Sequence, residues 1–367
     1  MKQVCLLCER TSLDNNLYCQ ETYCPAETSP LILSYGSWLG DIEIVKALAI
    51  LRSSVLYEAR HQKKKVFLKV AHPGVENTDR LKRESEFLRN LQINKEKSLY
   101  LPIWLPPYAN TTVDIKTDPY GRAMLGEHLL YYFMFEHFPG EPLRDVLTKN
   151  PQLWITHIGW LMINISSAVA EMQSKGMYNF GLSPESVLVH FDEDPNVPRI
   201  MLFDLGIACT RDNLAPNWYS FFVPPAYTAP ELVQPALAQA GYHTDVYNLG
   251  LILYELLVGE PCVPFKLRSD EDVYKAVENN ERVRMNRTED VKAVADIALQ
   301  AVSANPNHRY QSAAQLAQEL MKNFNEVPGM KKSWAPNLNT TLVVTISLLT
   351  VAFLITLFVT LKELNIF

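Results

Sequence analysis

Four cysteines crowd the first 24 residues: Cys5 and Cys8 with two residues between them, then Cys19 and Cys24 with four between them. Each pair can grip one tetrahedral zinc ion from a turn, and four thiolates close the shell and leave no open position for catalysis. The second pair is wider than the common two-residue spacing, and disulfides or unconnected thiols are the alternatives. Met1 to Arg10 has no apolar core of signal-peptide length. A reducing cytoplasm is therefore expected, where clustered cysteines bind metal more often than they pair with each other. The expectation is one structural zinc on Cys5, Cys8, Cys19 and Cys24. Cys209 and Cys262 stand apart and read as packing residues.

Further along, several charged residues stand at marked places. Lys69 is the one inward lysine of the strand-like Val66-Phe-Leu-Lys-Val. Arg83 and Glu84 lie on the helix that follows, and Asp204 opens an acidic turn at the end of the apolar run Leu202-Phe. Ala226-Tyr-Thr-Ala-Pro-Glu231 comes about twenty residues later. Thr244-Asp245-Val-Tyr-Asn-Leu-Gly250, Leu253-Tyr-Glu255-Leu and Asn305-Pro-Asn-His-Arg309-Tyr then follow in order.

The elements that position these residues divide into two halves. Leu56 to Arg60 and Val66 to Val70 read as strands joined by a lysine-rich turn. Thr78 is a candidate N-cap for an amphipathic helix from Arg80 to Leu91. Leu129 to Phe135 reads as a buried strand. Beyond Pro139 the pattern turns helical, at Leu153 to Lys175, Asp245 to Val258, Asp272 to Asn279, Val291 to Ser303 and Gln311 to Phe324. A strand-rich lobe followed by a helical lobe is an α+β architecture. The expected organisation is a four-cysteine segment over 1–30, a bilobed domain over 38–325, a linker over 326–337 and a transmembrane helix over 338–361.

The last of these rests on hydropathy. No charge occurs from Ser333 to Leu361, and Leu342 to Leu361 is apolar apart from Thr and Ser. About twenty such residues span a hydrocarbon core of ~30 Å. Lys322, Lys331 and Lys332 precede the span, while Lys362 and Glu363 follow it. The positive-inside tendency then keeps the large domain cytoplasmic. The expectation is a single-pass, tail-anchored protein of the cell membrane. The alternative is a buried core helix. The formal net charge of -6, with no long basic run, gives nucleic acid no electrostatic footprint.

The ordered motifs between Trp38 and Asn325 resemble the eukaryotic-type protein kinase family, in its bacterial serine/threonine branch. The resemblance implies that Lys69 contacts the α- and β-phosphates of ATP and pairs with Glu84, and that Asp204 holds magnesium. It also implies a gatekeeper at Phe135, an adenine-facing hinge from Glu136 to Phe138, a structural Glu231–Arg309 ion pair, and an Asp245 that holds the catalytic loop. That loop departs from the family pattern His-Arg-Asp-Leu-Lys-Pro-Glu-Asn. It reads Asn179-Phe-Gly-Leu-Ser-Pro-Glu-Ser186. Gly181 stands for the catalytic aspartate, Ser183 for the lysine, Ser186 for the second metal ligand and Phe180 for the arginine that would receive a loop phosphate. No glycine lies in Leu48 to Val55, where a phosphate-covering loop is expected. Arg52 there is a candidate to contact phosphate or to fill its space. Three functions follow as alternatives: a pseudokinase that scaffolds protein partners and binds ATP weakly, a divergent active serine/threonine kinase, and an adaptor whose cleft is filled by the 48–55 loop. The oligomeric state has no signature in the sequence.

Overall fold

The computed structural model describes residues 3–4, 11–12, 32–96, 98–108, 118–125, 128–151, 153–191, 198–214, 222–233, 239–265, 268–285 and 291–324. These residues fall within one compact unit that ends at Val327. The four cysteines expected to hold zinc, the 326–337 linker and the apolar 338–361 segment lie outside the described residues. Among the described residues, no helix is long and apolar enough to cross a membrane. No group of three or more metal-ligating side chains occurs among them either.

The first lobe is an antiparallel sheet. Its long strands are β1 (Ile42–Ile50), β2 (Ser54–His61), β3 (Lys64–Ala71), β4 (Gly121–Leu125) and β5 (His128–Glu136). Short pieces at Trp38–Leu39 and Trp104–Leu105 pair with β1 and β5, and β3 lies between β2 and β5. Strand parity decides where each side chain goes. Val55, Tyr57, Leu68, Val70, Tyr132 and Met134 face one way, into a core shared with Leu39 and Ile42. Leu56, Phe67, Phe133 and Phe135 face the other way, into the main core that continues through the second lobe. Lys69 lies opposite Leu56 and Phe133 and therefore shares this second face. Ile32–Leu33 also packs into the first core, and the Leu33 amide donates to Tyr57 Oη at 3.2 Å. These two residues, ahead of the expected edge at Trp38, pair with Gln3–Val4 and pack on the lobe.

Helix α1 spans Val75–Ile93 and starts a turn earlier than the sequence suggested. Gly74, at φ 125, supplies the turn into the helix, and Asn77 Nδ2 bonds the Pro73 carbonyl. Thr78 is buried inside the first turn, where its amide donates to the Gly74 carbonyl. It is not the N-cap.

The second lobe is helical. It contains α2 (Leu143–Lys149), α3 (Ile155–Ser174), α4 (Tyr242–Val258), α5 (Asp270–Glu278), α6 (Lys292–Ala301) and α7 (Ala313–Asn323). A small ribbon, β6 (Val187–Phe191) with β7 (Pro198–Leu202), lies beside the cleft and carries the segments on either side of the site. Helix α4 is buried along nearly its whole length and ends on Gly259 in the left-handed region. Helix α3 packs against α4, α7 and β7. Cys209 and Cys262 are buried and neither is in a disulfide, as packing residues should be.

Candidate functional site

Four buried charges meet where the sheet, α1 and the turn after β7 converge. Lys69 Nζ donates to Glu84 Oε2 of α1 and, at 2.6 Å, to Asp204 Oδ1. Arg80 stands one helical turn before Glu84 and so shares its face. Its Nη2 donates to Asp204 Oδ2 at 2.7 Å. Lys69, Arg80 and Glu84 are each no more than 1% exposed. Burial alone would raise the Asp204 pKa, but the adjacent Arg80 and Lys69 outweigh it and hold the carboxyl below its ordinary value. Asp204 adopts a left-handed φ of 64, a conformation that non-glycine residues hold only when their surroundings enforce it.

The neighbouring loop is held by Asp245. Its Oδ1 accepts the amides of Asn179 at 3.1 Å and Phe180 at 2.8 Å, and its Oδ2 accepts from Gln173 at 3.2 Å. Burial pushes its pKa up to about 6, opposed by these hydrogen bonds. The loop thereby holds Phe180 at φ 55, a conformation that non-glycine residues adopt only when their surroundings enforce it. Gly181 follows, and the space above it is taken. A Cβ placed there would lie 2.4 Å from Ile207 Cδ1. Ser186 does not face outward as a ligand. Its hydroxyl donates to the Ser183 carbonyl at 2.9 Å and accepts the Ser183 amide at 3.1 Å.

The turn between β1 and β2 folds inward, with Leu51 and Ser53 buried. His72 fixes it: its Nε2 bonds the Leu51 carbonyl at 2.8 Å and its amide donates to the Ser53 carbonyl. Arg52 lines the cavity next to Asp204, but its guanidinium is engaged elsewhere. It crosses to the other lobe and meets both carboxylate oxygens of Asp270 at 2.8 and 2.9 Å. Beneath this pair lies a cavity of about 240 Å³, lined by Leu51, Gly181, Ser183, Asp204, Phe222 and Val273 among others. At the back of the cleft, Phe135 is fully buried against Phe67, with ring centroids 5.3 Å apart. Glu136 ends β5 exposed, and Phe138 beyond it is half-buried against His190.

This order of parts matches a known family. The family model described as the protein kinase domain matches residues 120–326, more than half of the chain. The chain belongs to the protein kinase family. It is 30% identical over 148 residues to a serine/threonine-protein kinase of Drosophila erecta, covering 40% of this chain and 19% of that protein. A serine/threonine-protein kinase of Drosophila melanogaster matches to the same extent. The serine/threonine-protein kinase PknB of Mycobacterium leprae is 25% identical over 204 residues, covering 55% of this chain and 32% of that protein. The match thus spans a fifth to a third of these relatives' own lengths.

Kinase domains in general use ATP and magnesium. The residues of this kinase domain do not fit the metal. Both oxygens of Asp204 are engaged by cations of the chain, and the Ser186 hydroxyl is turned into its own loop. Other expected contacts are in place. Glu231 and Arg309 form a buried, two-pronged pair at 2.7 and 3.0 Å. The sequence reading missed the partner of Glu255. It is Arg144, whose guanidinium also meets Glu185 Oε1 at 2.6 Å and Tyr227 Oη at 2.6 Å. A lone arginine opening α2 carried no signal that it would tie these elements together.

Proposed function

We propose that this chain is a membrane-anchored pseudokinase: a kinase domain that transfers no phosphate and serves as a signalling or scaffolding module for protein partners. The observation that carries the reading is Gly181 at the catalytic aspartate position with Ile207 packed over it. No carboxylate is there to accept a substrate hydroxyl proton, and loss of a general base costs about 10²–10⁴ in rate. Ser183 offers no positive charge to a transferring phosphoryl group, which weakens transition-state stabilisation further. Anchoring rests on the apolar run Leu342 to Leu361, and a structural zinc on the paired cysteines; both are read from sequence. The intact Lys69–Glu84 pair favours the other reading, a divergent serine/threonine kinase with a relocated base.

Radiolabelled phosphate transfer by the wild-type chain, beside Lys69→Ala and Asp204→Ala, separates the two. The pseudokinase reading expects equal background signals in all three. Wild-type transfer abolished by both substitutions would refute it.

A further inference from the structure

Both carboxylate oxygens of Asp204 are occupied by cations of the chain itself, and the second of these, Arg80, is built into its place. Its stem lies against Gly206, where a Cβ would fall 2.3 Å from Arg80 Cγ, so the turn after Asp204 sits directly on α1. Its guanidinium lies 4.9 Å from the Phe222 ring centroid, and Nη1 reaches the Phe222 carbonyl at 3.4 Å. Arg80 is 1% exposed.

Two positive and two negative side chains, Lys69 and Arg80 with Glu84 and Asp204, leave the cluster formally neutral. Magnesium needs near-octahedral oxygen ligands at about 2.0–2.1 Å and is held by free carboxylates together with phosphates. To ligate it here, Asp204 would have to release Arg80 or Lys69, and either cation would then lie buried beside the incoming metal. Ser186, which stands where the family carries its second metal ligand, spends its hydroxyl on Ser183.

We infer that Arg80 is the resident cation of this cleft: it takes the place of the divalent metal at Asp204 and makes the closed arrangement of α1, β3 and the Asp204 turn independent of metal and nucleotide. This deepens the pseudokinase reading. A module whose partner-binding shape is fixed internally needs no nucleotide to set it.

The test is titration of the purified full-length chain with Mn2+ alone, with free Mn2+ read by electron paramagnetic resonance. Wild type and Asp204→Asn should give superimposable curves. Arg80→Gln should gain a site, with affinity raised roughly tenfold or more, the order expected when a charge-assisted contact on one carboxylate oxygen is removed. The gain should vanish in Arg80→Gln with Asp204→Asn. Tighter binding by wild type than by Asp204→Asn, or no gain in Arg80→Gln, would overturn the inference. A measurement without variants stands beside it, should these substitutions prevent folding. The melting temperature of wild type with ATP should be the same in chelator and in excess Mg2+, and a shift that needs Mg2+ would overturn the inference. Neither readout is phosphate transfer. A chain that binds Mn2+ at Asp204 yet transfers no phosphate refutes the role of Arg80 alone.

Discussion

Restoring the missing aspartate should damage this protein before it helps it. In Gly181→Asp the new Cβ would lie 2.4 Å from Ile207 Cδ1 and 3.1 Å from Cγ1. Ile207 is 1% exposed and belongs to the main core, so its side chain has little room to withdraw. Overpacking of this kind costs about 1–3 kcal/mol. Gly181→Ala carries the same Cβ without the charge, so it isolates the steric part. Trimming Ile207 to Val costs about 0.5–1.5 kcal/mol alone. The two changes touch one another, so their combination should be less destabilising than their sum by about 0.5–2 kcal/mol. The assay is equilibrium denaturation of wild type, Gly181→Ala, Ile207→Val and the double variant. If Gly181→Ala is neutral within about 0.5 kcal/mol, the size of an ordinary surface substitution, the argument from a filled site fails. Strict additivity would sink it as well. Gly181→Asp should in addition gain no phosphate transfer, because Ser183 and Ser186 remain and groups that act as a unit are not restored singly.

Other substitutions probe the frame around the site. Arg309→Leu should cost about 3–5 kcal/mol in denaturation, because it leaves Glu231 buried without its guanidinium partner; a loss below 1 kcal/mol would contradict the pairing. Burial holds the His72 pKa down at about 4, against an ordinary value of 6.5. The unfolded chain therefore takes up the proton first, so stability is fully present above pH 6.5 and falls by about 3 kcal/mol as pH drops to 4. His72→Gln should flatten that part of the denaturation-midpoint profile, and an unchanged slope would refute the assignment. Arg52 and Asp270 are 30% and 56% exposed, so Asp270→Asn should cost under about 1 kcal/mol, a cost that shrinks further in high salt.

The residues legible in the sequence were those marked by local context. Lys69, Asp204, Asp245 and Glu231 each sit in a short run whose neighbours fix the element and its register, and the folded chain brings Lys69 to Glu84 and Glu231 to Arg309 as read. Arg80 stands four residues before Glu84 on one helix, which is signal enough to place both on one face. Its partner is 124 residues away, and no spacing rule reaches that far. Ile207 was illegible for another reason: where its methyl points depends on a turn whose conformation only packing decides. Thr78 has the residue type of a cap, but Pro73-Gly74 sets the boundary and α1 starts directly after it.

The strip behind the catalytic loop has a consequence for how the protein responds to its surroundings. Tyr178 pairs backbone to backbone with Cys209, beyond the Asp204 turn, and its ring stacks on Phe180 at 5.0 Å and 11°. Phe180 is fully buried where family members carry an arginine that awaits a phosphate. An ionic anchor can be written and erased by adding and removing phosphate, and it weakens as salt rises. An apolar stack has no such handle. It holds no ion pair for salt to screen, and its hydrophobic driving force fades on cooling. The position that answers to a phosphate in other family members is held here by a buried ring, set in place as the chain folds.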